Sequence, residues 1–372
     1  MRKKNKQYLT KCVAVLAAVA VMSVGNYSYA AEENANASVA QPASDIAALM
    51  AQLQQAAQAV TPVGNLYRSE LTNEWIDISL AQQRPVAIMV DNEKIALPHY
   101  GLTEADVVYE MMNSTANGRV TRLMAVVKDW EKISRFGSIR STRPTNVMLA
   151  AEWNAVLCHD GGPFYINEWI AKDYSNNLSG GFSRINNGKA REFTEYICTG
   201  EIGRRIQSAG YTKTYNQFYQ GNHFNFSDTE IDLSVKPNAI PCAEIDLPFP
   251  HNQSKLIYNA VTGTYDYYEY GKAHTDPLHN NAQLTFKNLL IQDTTFTQLD
   301  KNGYLIYNAI DSGRSGYYIT NGKAIEVVWA KTDGNTPTVY FDKLTGEPLQ
   351  INTGKTYISL VPSDSWASVV IK

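Results

Sequence analysis

Gly137-Ser-Ile-Arg-Ser-Thr-Arg-Pro144, followed closely by Val156-Leu-Cys-His-Asp-Gly-Gly162, is the stretch that decides the fold of this chain. Thr142-Arg-Pro144 predicts the start of a helix that runs to Trp153, because proline is tolerated in the first helical turn. The apolar run Ala155 to His159 predicts a buried strand directly after that helix. A helix that leads at once into a buried strand indicates a mixed α/β fold.

Three apolar runs before this stretch predict further strands of the same domain, namely Pro85 to Val90, Val107 to Met111 and Leu123 to Lys128. The pair Asn117-Gly118 is a turn signal between the last two strands. After the stretch, Pro163 to Lys172 predicts a short helix. The segment from Asn176 to Gly188 is rich in Gly, Ser and Asn, which is typical of a mobile loop.

From residue 239 onward the sequence consists of strands and tight turns with almost no helix. Asn321-Gly322 is a strong hairpin signal and predicts that Tyr317 to Thr320 pairs with Lys323 to Lys331. We therefore expect an α+β protein. A mixed α/β domain, residues 66–238, precedes a mainly β domain, residues 239–372.

The first thirty residues have the pattern of a secretory signal peptide. Five basic residues precede the apolar stretch Cys12 to Val24, and Ser28-Tyr-Ala30 supplies the small residues that a signal peptidase reads. A spanning helix needs about 20 apolar residues, so the shorter stretch favours cleavage after Ala30 over retention as an anchor. We expect residues 31–65 to be a linker with a short amphipathic helix, which either docks onto the body or forms a stalk.

The charge of the chain excludes some classes of partner. Without residues 1–30 the chain has 28 basic and 36 acidic residues, a net charge of −8. An acidic surface argues against binding of nucleic acid or of a membrane through a polybasic patch. Because no other long apolar run follows, we expect no transmembrane segment after signal cleavage and an exported protein, secreted or associated with the cell envelope.

Several motifs resemble, in the same order along the chain, those of the YerB-like family of exported bacterial proteins. They are Arg84–Asn92, Gly101–Glu110, Gly118–Arg122, Gly137–Pro144, His159–Gly162, Gly271–Asp276, Gly316–Lys323 and Gly354–Pro362. The resemblance implies two domains and export, and it brings no settled activity with it. Members are typically lipoproteins, whereas this chain lacks the lipobox, so lipid anchoring is not carried over. The family's arginine-rich stretch ending in Pro-His-Asn is degraded around Arg184 to Glu195.

Four arginines are the first candidates for a binding site: Arg119, Arg122, Arg140 and Arg143. The guanidinium group stays charged and presents a rigid fork of donors that suits carboxylate or phosphate. Ligands of α/β sheets commonly bind at strand ends, where these arginines are expected. In the alternative, the arginines pair internally with nearby carboxylates such as Asp91.

A second group of candidates surrounds the strand that ends at His159. The imidazole suits a general acid or base, with Asp160 as its orienting or substrate-contacting partner. Gly161 and Gly162 would let a ligand approach the backbone. Asp91 and Asn92, at the end of another predicted strand, are the remaining polar candidates. In the alternative, His159 is simply a hydrogen-bonded residue at a strand end.

No recognised cofactor or metal motif is present in the sequence, so we expect neither. His274, Asp276 and His279 have workable metal chemistry but no recognised ligand spacing.

These observations lead to three hypotheses. The first is an exported, envelope-associated protein that binds an anionic small molecule, an envelope polymer or another envelope protein. Its arginine-lined cleft would lie in the N-terminal domain, with Arg140 and Arg143 as the binding pair. The second is a hydrolase of a phosphate- or carboxylate-bearing envelope polymer, with His159 as acid or base and the arginines stabilising negative charge. The third is a structural or scaffolding protein. The sequence leaves open whether the protein is an enzyme.

Overall fold

The structure, a computed structural model, describes residues 42–58 and 61–372, and the predicted signal peptide therefore lies outside the described residues. The α-helices in this part of the chain are α1 (Ala43–Gln58), α2 (Pro144–Glu152), α3 (Asn167–Ile170) and α4 (Glu201–Ser208). The strands of residues 66–198 are β1 (Leu66–Arg68), β2 (Trp75–Asp77), β3 (Val86–Asp91), β4 (Val107–Met112), β5 (Thr121–Val127), β6 (Arg135–Gly137), β7 (Val156–His159), β8 (Asn176–Ser179), β9 (Ser183–Arg184) and β10 (Glu195–Cys198).

The strands after residue 239 complete the set. They are β11 (Ile240–Pro241), β12 (Glu244–Asp246), β13 (Lys255–Asn259), β14 (Thr264–Glu269), β15 (Lys272–Ala273), β16 (Thr275–Asp276), β17 (Ala282–Gln283), β18 (Thr285–Phe286), β19 (Asn288–Thr294), β20 (Phe296–Gln298), β21 (Leu305–Tyr307), β22 (Asp311–Thr320), β23 (Lys323–Lys331), β24 (Val339–Asp342), β25 (Thr356–Pro362) and β26 (Val370–Ile371). The described residues thus have mostly β content with a few helices.

One sheet of 11 strands forms the centre of the molecule, in the order β11-β23-β22-β19-β25-β4-β5-β3-β7-β8, with β24 paired to β23. Strand β25 lies between β19 and β4 and is parallel to both. Strands from residues 66–238 and from residues 239–372 therefore share this sheet. The domain boundary inferred from the sequence stays a prediction.

The central sheet is buried on both faces, which explains its nearly continuous apolar strands. In β3, Ile88 and Val90 lie in one buried apolar cluster, whereas Ala87 and Met89 lie in another. This division follows from the alternation of side chains along a strand. Helix α4 and the sheet of β12–β14 cover the first face, and helix α2 covers part of the second.

Helix α1 docks onto the body, which decides between the two alternatives for this helix. Its apolar stripe, Ile46, Leu49 and Leu53, is buried in a cluster with Ala330 of β23 and Val339 and Phe341 of β24. The spacing of the three residues places them on one face of the helix.

Most of the predicted elements near the site are confirmed. The strands expected at Pro85, Val107, Leu123 and Ala155 are present as β3, β4, β5 and β7. The hairpin across Asn321-Gly322 pairs β22 with β23 antiparallel. The prediction of a loop from Asn176 to Gly188 is wrong, because β8 and β9 lie within it. Strand β8 is a polar edge strand held by parallel pairing to β7, so it carries no apolar signal.

No helix among the described residues is long and apolar enough to span a bilayer.

Candidate functional site

The candidate residues that come together lie at one end of the central sheet. Strands β3 and β7 are parallel, and the loop from residue 138 to 143 runs past the end of β3 to the start of helix α2. The Asp91 N–H donates to the Ser138 carbonyl at 3.0 Å, and the Arg140 N–H donates to the Met89 carbonyl at 3.1 Å. These bonds bring Arg140 beside Asp91. Strand β5 adds Arg122, which is paired in register with Asp91.

Arg140 is neutralised by carboxylates of the protein itself. Its Nε lies 2.5 Å from Asp91 Oδ2, and its Nη1 lies 3.0 Å from Glu192 Oε2. Glu93 is a third carboxylate at 3.9 Å, and the guanidinium also lies over the Phe193 ring. Burial opposes the charged form, but the Asp91 and Glu192 carboxylates raise the pKa of Arg140 above its ordinary value. Arg140 thus follows the alternative stated above, in which the arginines pair with carboxylates of the protein.

Arg122 and Arg143 form the second part of the site, and their surroundings are different. Arg122 Nη1 donates to Asn113 Oδ1 at 3.1 Å and to the Ser141 carbonyl and hydroxyl at 2.8 and 3.0 Å. Arg143 Nη1 donates to the Thr142 carbonyl at 2.9 Å and to the same Ser141 hydroxyl at 3.2 Å. Arg143 Nε donates to the Asn113 carbonyl at 3.2 Å. The two guanidinium groups therefore converge on Asn113 and Ser141.

These contacts leave both guanidinium groups without a carboxylate in direct contact. Arg122 is 4% exposed and Arg143 is 6% exposed. Within residues 42–58 and 61–372, no Asp or Glu oxygen lies within 4.0 Å of either guanidinium. Burial and repulsion by Arg122 lower the pKa of Arg143 to about 9. Burial also lowers the pKa of Arg122, although the nearby Asp91 carboxylate opposes part of this decrease. Because arginine is not deprotonated in proteins, both groups carry a positive charge at neutral pH.

The face of Tyr304 covers the Arg143 guanidinium, whose central carbon lies 4.5 Å from the ring centroid. Tyr304 is positioned by its neighbour Gly303, which has φ +79° and packs against the loop of Ser114 to Ala116. A cation over an aromatic face is stabilised without being neutralised. The ring thus covers one face of the guanidinium without removing its positive charge.

Arg119 does not join this group. It forms a bidentate pair with Asp364, with Nη1 2.7 Å from Oδ1 and Nη2 2.5 Å from Oδ2, and Nη1 also donates to the Ser365 hydroxyl. Arg119 and Asp364 lie in the wall of a separate surface groove of about 730 Å³. Arg119 is therefore neutralised by Asp364 and does not contact Ser141.

His159 is buried at the end of β7 with both ring nitrogens engaged. Nδ1 lies 2.7 Å from the Gly161 carbonyl, and Nε2 lies 3.2 Å from Asn177 Oδ1. Burial lowers the pKa of His159. Asp160 forms an ion pair with Arg184, whose Nη2 lies 3.2 Å from Asp160 Oδ2. The same guanidinium contacts the buried carboxylate of Glu195. The arrangement matches the alternative of a hydrogen-bonded histidine at a strand end.

Gly162 and Asn92 contact other parts of the protein, whereas Gly161 has open space beside it. A Cβ on Gly162 would lie 2.6 Å from Ile166 Cδ1 and 3.1 Å from the Thr142 carbonyl, so this glycine allows close packing within the protein. Gly161 has φ +71° and open space where a Cβ would lie. Asn92 is buried, and its Nδ2 donates to Thr121 Oγ1 at 2.8 Å. It lies on the side of β3 away from Arg143, toward Glu110.

Sequence reasoning missed three residues that shape the arginine pair: Asn113, Ser141 and Tyr304. Ser141 lies within Gly137–Pro144. Its position between Arg140 and Arg143 could have indicated that it contacts an arginine. Tyr304 reaches the site from more than 150 residues away, and nothing local marks it.

Comparison with known proteins places this architecture in a family. Residues 71–212 match the family described as "Protein of unknown function (DUF3048) N-terminal domain", and residues 245–358 match the corresponding C-terminal domain. The chain therefore belongs to the YerB-like family with its two DUF3048 domains, as the resemblance of its motifs predicted.

Two relatives support this assignment. The chain is 26% identical over 327 residues to "Putative lipoprotein YerB" of Bacillus subtilis (strain 168), a match that covers 85% of this chain and 92% of the relative. The crystal structure of YerB protein from Bacillus subtilis is similar with a TM-score of 0.69 and 21% identity, over 82% of this chain and 99% of that chain. The structural likeness shows that the two proteins share a fold.

Proposed function

We propose that this protein is an exported, envelope-associated binding protein that holds an anionic group of its ligand at Arg122 and Arg143. The observation that carries the proposal is the pair of buried guanidinium groups that meet at Ser141 Oγ with no carboxylate within 4.0 Å among the described residues. A buried charge is costly unless it is paired. An anion between the two groups would supply the missing charge.

The chemistry of the pair selects carboxylate or phosphate as the bound group. Arginine forks form strong charge-assisted hydrogen bonds with both, and their planar donors favour two-oxygen contacts. Ser141 and Asn113 already hold one side of each guanidinium, so the forks are pre-oriented. The rest of the chain is acidic, which disfavours unspecific adsorption of anions elsewhere.

Export and envelope association rest on two further observations. The N-terminal pattern of residues 1–30 is that of a signal peptide. A relative that matches most of the chain bears the name "Putative lipoprotein YerB". The ligand is therefore an anionic small molecule, an envelope polymer or an acidic segment of another envelope protein outside the cytoplasmic membrane.

The proposal includes no catalytic step. A general acid or base needs a ring nitrogen within reach of substrate, and both nitrogens of His159 are engaged within the protein. No observation favours the hydrolase or the scaffold over a binding protein.

Isothermal titration calorimetry with inorganic phosphate and with citrate tests the proposal, using chloride at equal ionic strength as the reference. We expect both anions to bind the wild type and Arg143→Gln to weaken binding about 10- to 100-fold, the loss expected for charge-assisted hydrogen bonds. Arg119→Gln is the matched control, since Arg119 is neutralised by Asp364, and it should bind like the wild type. Equal binding by the wild type and Arg143→Gln would overturn the proposal.

A further inference from the structure

A second polar cluster, unrelated to the arginines, is buried between the two family domains. His99 follows β3 in the N-terminal domain, whereas Glu269 ends β14 and His274 follows β15 in the C-terminal domain. The three residues are 0%, 2% and 4% exposed, respectively. Two imidazoles and a carboxylate are thus enclosed together, although buried ionisable groups are rare unless they are paired or bind metal.

The ligand atoms of this cluster lie at metal-binding distances. His99 Nδ1 is 2.9 Å from His274 Nε2, and His274 Nε2 is 3.7 Å from Glu269 Oε1. One ligand atom from each residue lies within 4.8 Å of the other two. Ligands around tetrahedral zinc, with bonds of about 2.0–2.1 Å, are separated by about 3.3 Å. The two measured separations bracket that value.

The ring nitrogen of His99 that faces His274 is Nδ1, and the other hydrogen bond of the ring decides its protonation. Nε2 lies 2.6 Å from the Asp91 carbonyl oxygen, which can only accept, so Nε2 carries the proton. Nδ1 therefore presents its lone pair toward His274. A metal-binding histidine typically donates its other N–H to a carbonyl or carboxylate in this way.

Glu269 is a buried carboxylate with no Lys or Arg partner among the described residues. The side chains of Asn92 and Asn252 are its hydrogen-bonding neighbours, and the Oδ1 atoms of these two amides have no donor. A buried carboxylate is costly unless a positive charge lies beside it. A cation in this enclosed region would supply that charge.

We propose that His99, Glu269 and His274 bind a divalent transition metal ion, with Zn²⁺ as the preferred ion. Two imidazole nitrogens and one carboxylate oxygen are a known zinc ligand set, and the imidazoles disfavour Mg²⁺ and Ca²⁺, which prefer oxygen ligands. Because the cluster is enclosed, the site is structural.

The ion would act as a clamp between the two domains. It would tie the segment around His99 to the β14–β15 hairpin, which carries Glu269. Through the His99 hydrogen bond it would also fix the backbone of Asp91, the residue that pairs with Arg140. The metal site would therefore stabilise the edge of the sheet that carries the arginines, while its existence does not depend on what the arginines bind.

Metal content measured on untagged, full-length protein tests this site. The protein is stripped with a chelator, loaded with Zn²⁺, dialysed and analysed by plasma mass spectrometry. We expect about one tightly held ion per chain, and a rise in Tm of about 4 °C when Zn²⁺ is at 100 times its Kd. Mg²⁺ and Ca²⁺ should cause no such rise.

Two ligand variants and one control distinguish the cluster from other zinc sites. Glu269→Gln and His274→Gln should each lose the ion and the rise in Tm. Glu269→Gln should fold as well as the metal-free wild type, because it keeps the shape of the side chain and removes a buried charge that no Lys or Arg neutralises. His279→Gln is the matched control, since His279 forms a surface pair with Glu104 at 2.8 Å, and it should retain the ion. Zinc retained equally by Glu269→Gln and the wild type, or by neither, would overturn the proposal.

Discussion

Arg122 and Arg143 donate to one and the same hydroxyl, Ser141 Oγ, at 3.0 and 3.2 Å. Two buried cations held at a shared acceptor repel each other, and this repulsion contributes to the lowered pKa of Arg143. Hydrogen bonds to Ser141, Asn113 and Thr142 orient the groups but bring no negative charge. The proposed anion site consists of these two buried guanidinium groups and the hydroxyl that they share.

Anions should stabilise the protein specifically. Phosphate at ten times its Kd should raise the free energy of unfolding by about 1.4 kcal/mol, measured by urea denaturation against chloride at equal ionic strength. Arg143→Gln should abolish the difference between the two salts, whereas Arg119→Gln should keep it. The same gain in the Arg143→Gln protein would place the anion elsewhere.

Gly303→Ala should displace the Tyr304 ring from the Arg143 guanidinium. A Cβ at Gly303 would lie 2.6 Å from the Ala116 backbone nitrogen and 2.7 Å from Ser114 Oγ. We expect a loss of about 2–4 kcal/mol in the free energy of unfolding, from overpacking and the positive φ together. Tyr304 should move with its neighbour, so phosphate affinity should also fall.

Gly271→Ala is the control for this substitution. Gly271 has φ +71° but open space where the Cβ would lie. The variant should therefore lose about 1 kcal/mol of the free energy of unfolding, because only the positive φ is unfavourable for alanine. Equal losses for the two variants, in thermal or urea denaturation, would show that the contact of Gly303 with residues 114–116 has no effect.

The buried pair of Glu152 and Lys331 should be a major source of stability. Lys331 Nζ lies 2.9 Å from Glu152 Oε2, and both side chains are fully buried. Burial alone would raise the pKa of Glu152, but Lys331, His223 and Tyr109 together hold it well below its usual range. The carboxylate thus contributes stability above its ordinary pKa of about 4.3, and this contribution is lost as the pH falls through the lower, folded-state pKa.

Lys331→Met should therefore lower the free energy of unfolding by about 3–5 kcal/mol at pH 7, because it removes the buried cation that pairs with Glu152 Oε2. The double variant Glu152→Gln/Lys331→Met should recover part of that loss. Lys343→Met, which breaks a half-exposed pair with Glu326, should cost at most about 1 kcal/mol. A Lys331→Met loss no larger than that of Lys343→Met in urea denaturation would contradict the assignment.

Much of the sheet around the site was predictable from local sequence. The apolar run after Pro85 and the proline at the start of α2 are local signals, and both elements formed where expected. The docking of β25 between β4 and β19 was not predictable, because parallel pairing across some 250 residues leaves no periodic trace. Strand β8 was missed for a related reason, since its polar residues pair only through the backbone of β7.

The candidate site was predictable in part. The sequence pattern favoured Arg140 and Arg143 over Arg119 and Arg122, but Arg140 is neutralised by Asp91 and Arg119 by Asp364. Which arginine finds a carboxylate depends on tertiary contacts. The cluster of His99 with His274 likewise joins residues 175 positions apart, so no ligand spacing could mark it.

Asp106 should make stability depend on pH in the direction opposite to Glu152. Burial raises the pKa of Asp106 to about 6, although the Lys128 N–H donates to Oδ2 at 2.7 Å. Between about pH 4 and 6 the unfolded chain releases this proton first, so rising pH favours unfolding. Asp106→Asn should raise the free energy of unfolding by about 1–3 kcal/mol at pH 7 and leave it unchanged at pH 4.

Urea denaturation at the two pH values measures this difference. Asp228→Asn, at an exposed carboxylate, should cause no change at either pH. An Asp106→Asn effect of equal size at pH 4 and pH 7 would show that burial of the charge is not its cause.

The most direct test of the central claim is a crystal structure with tungstate, located by its anomalous scattering. We predict one strong peak with oxygens at about 2.7–3.2 Å from the Nη atoms of Arg122 and Arg143, absent from crystals of Arg143→Gln. A tungstate ion bound only elsewhere, with both guanidinium groups still bonded only to protein atoms, would contradict the account.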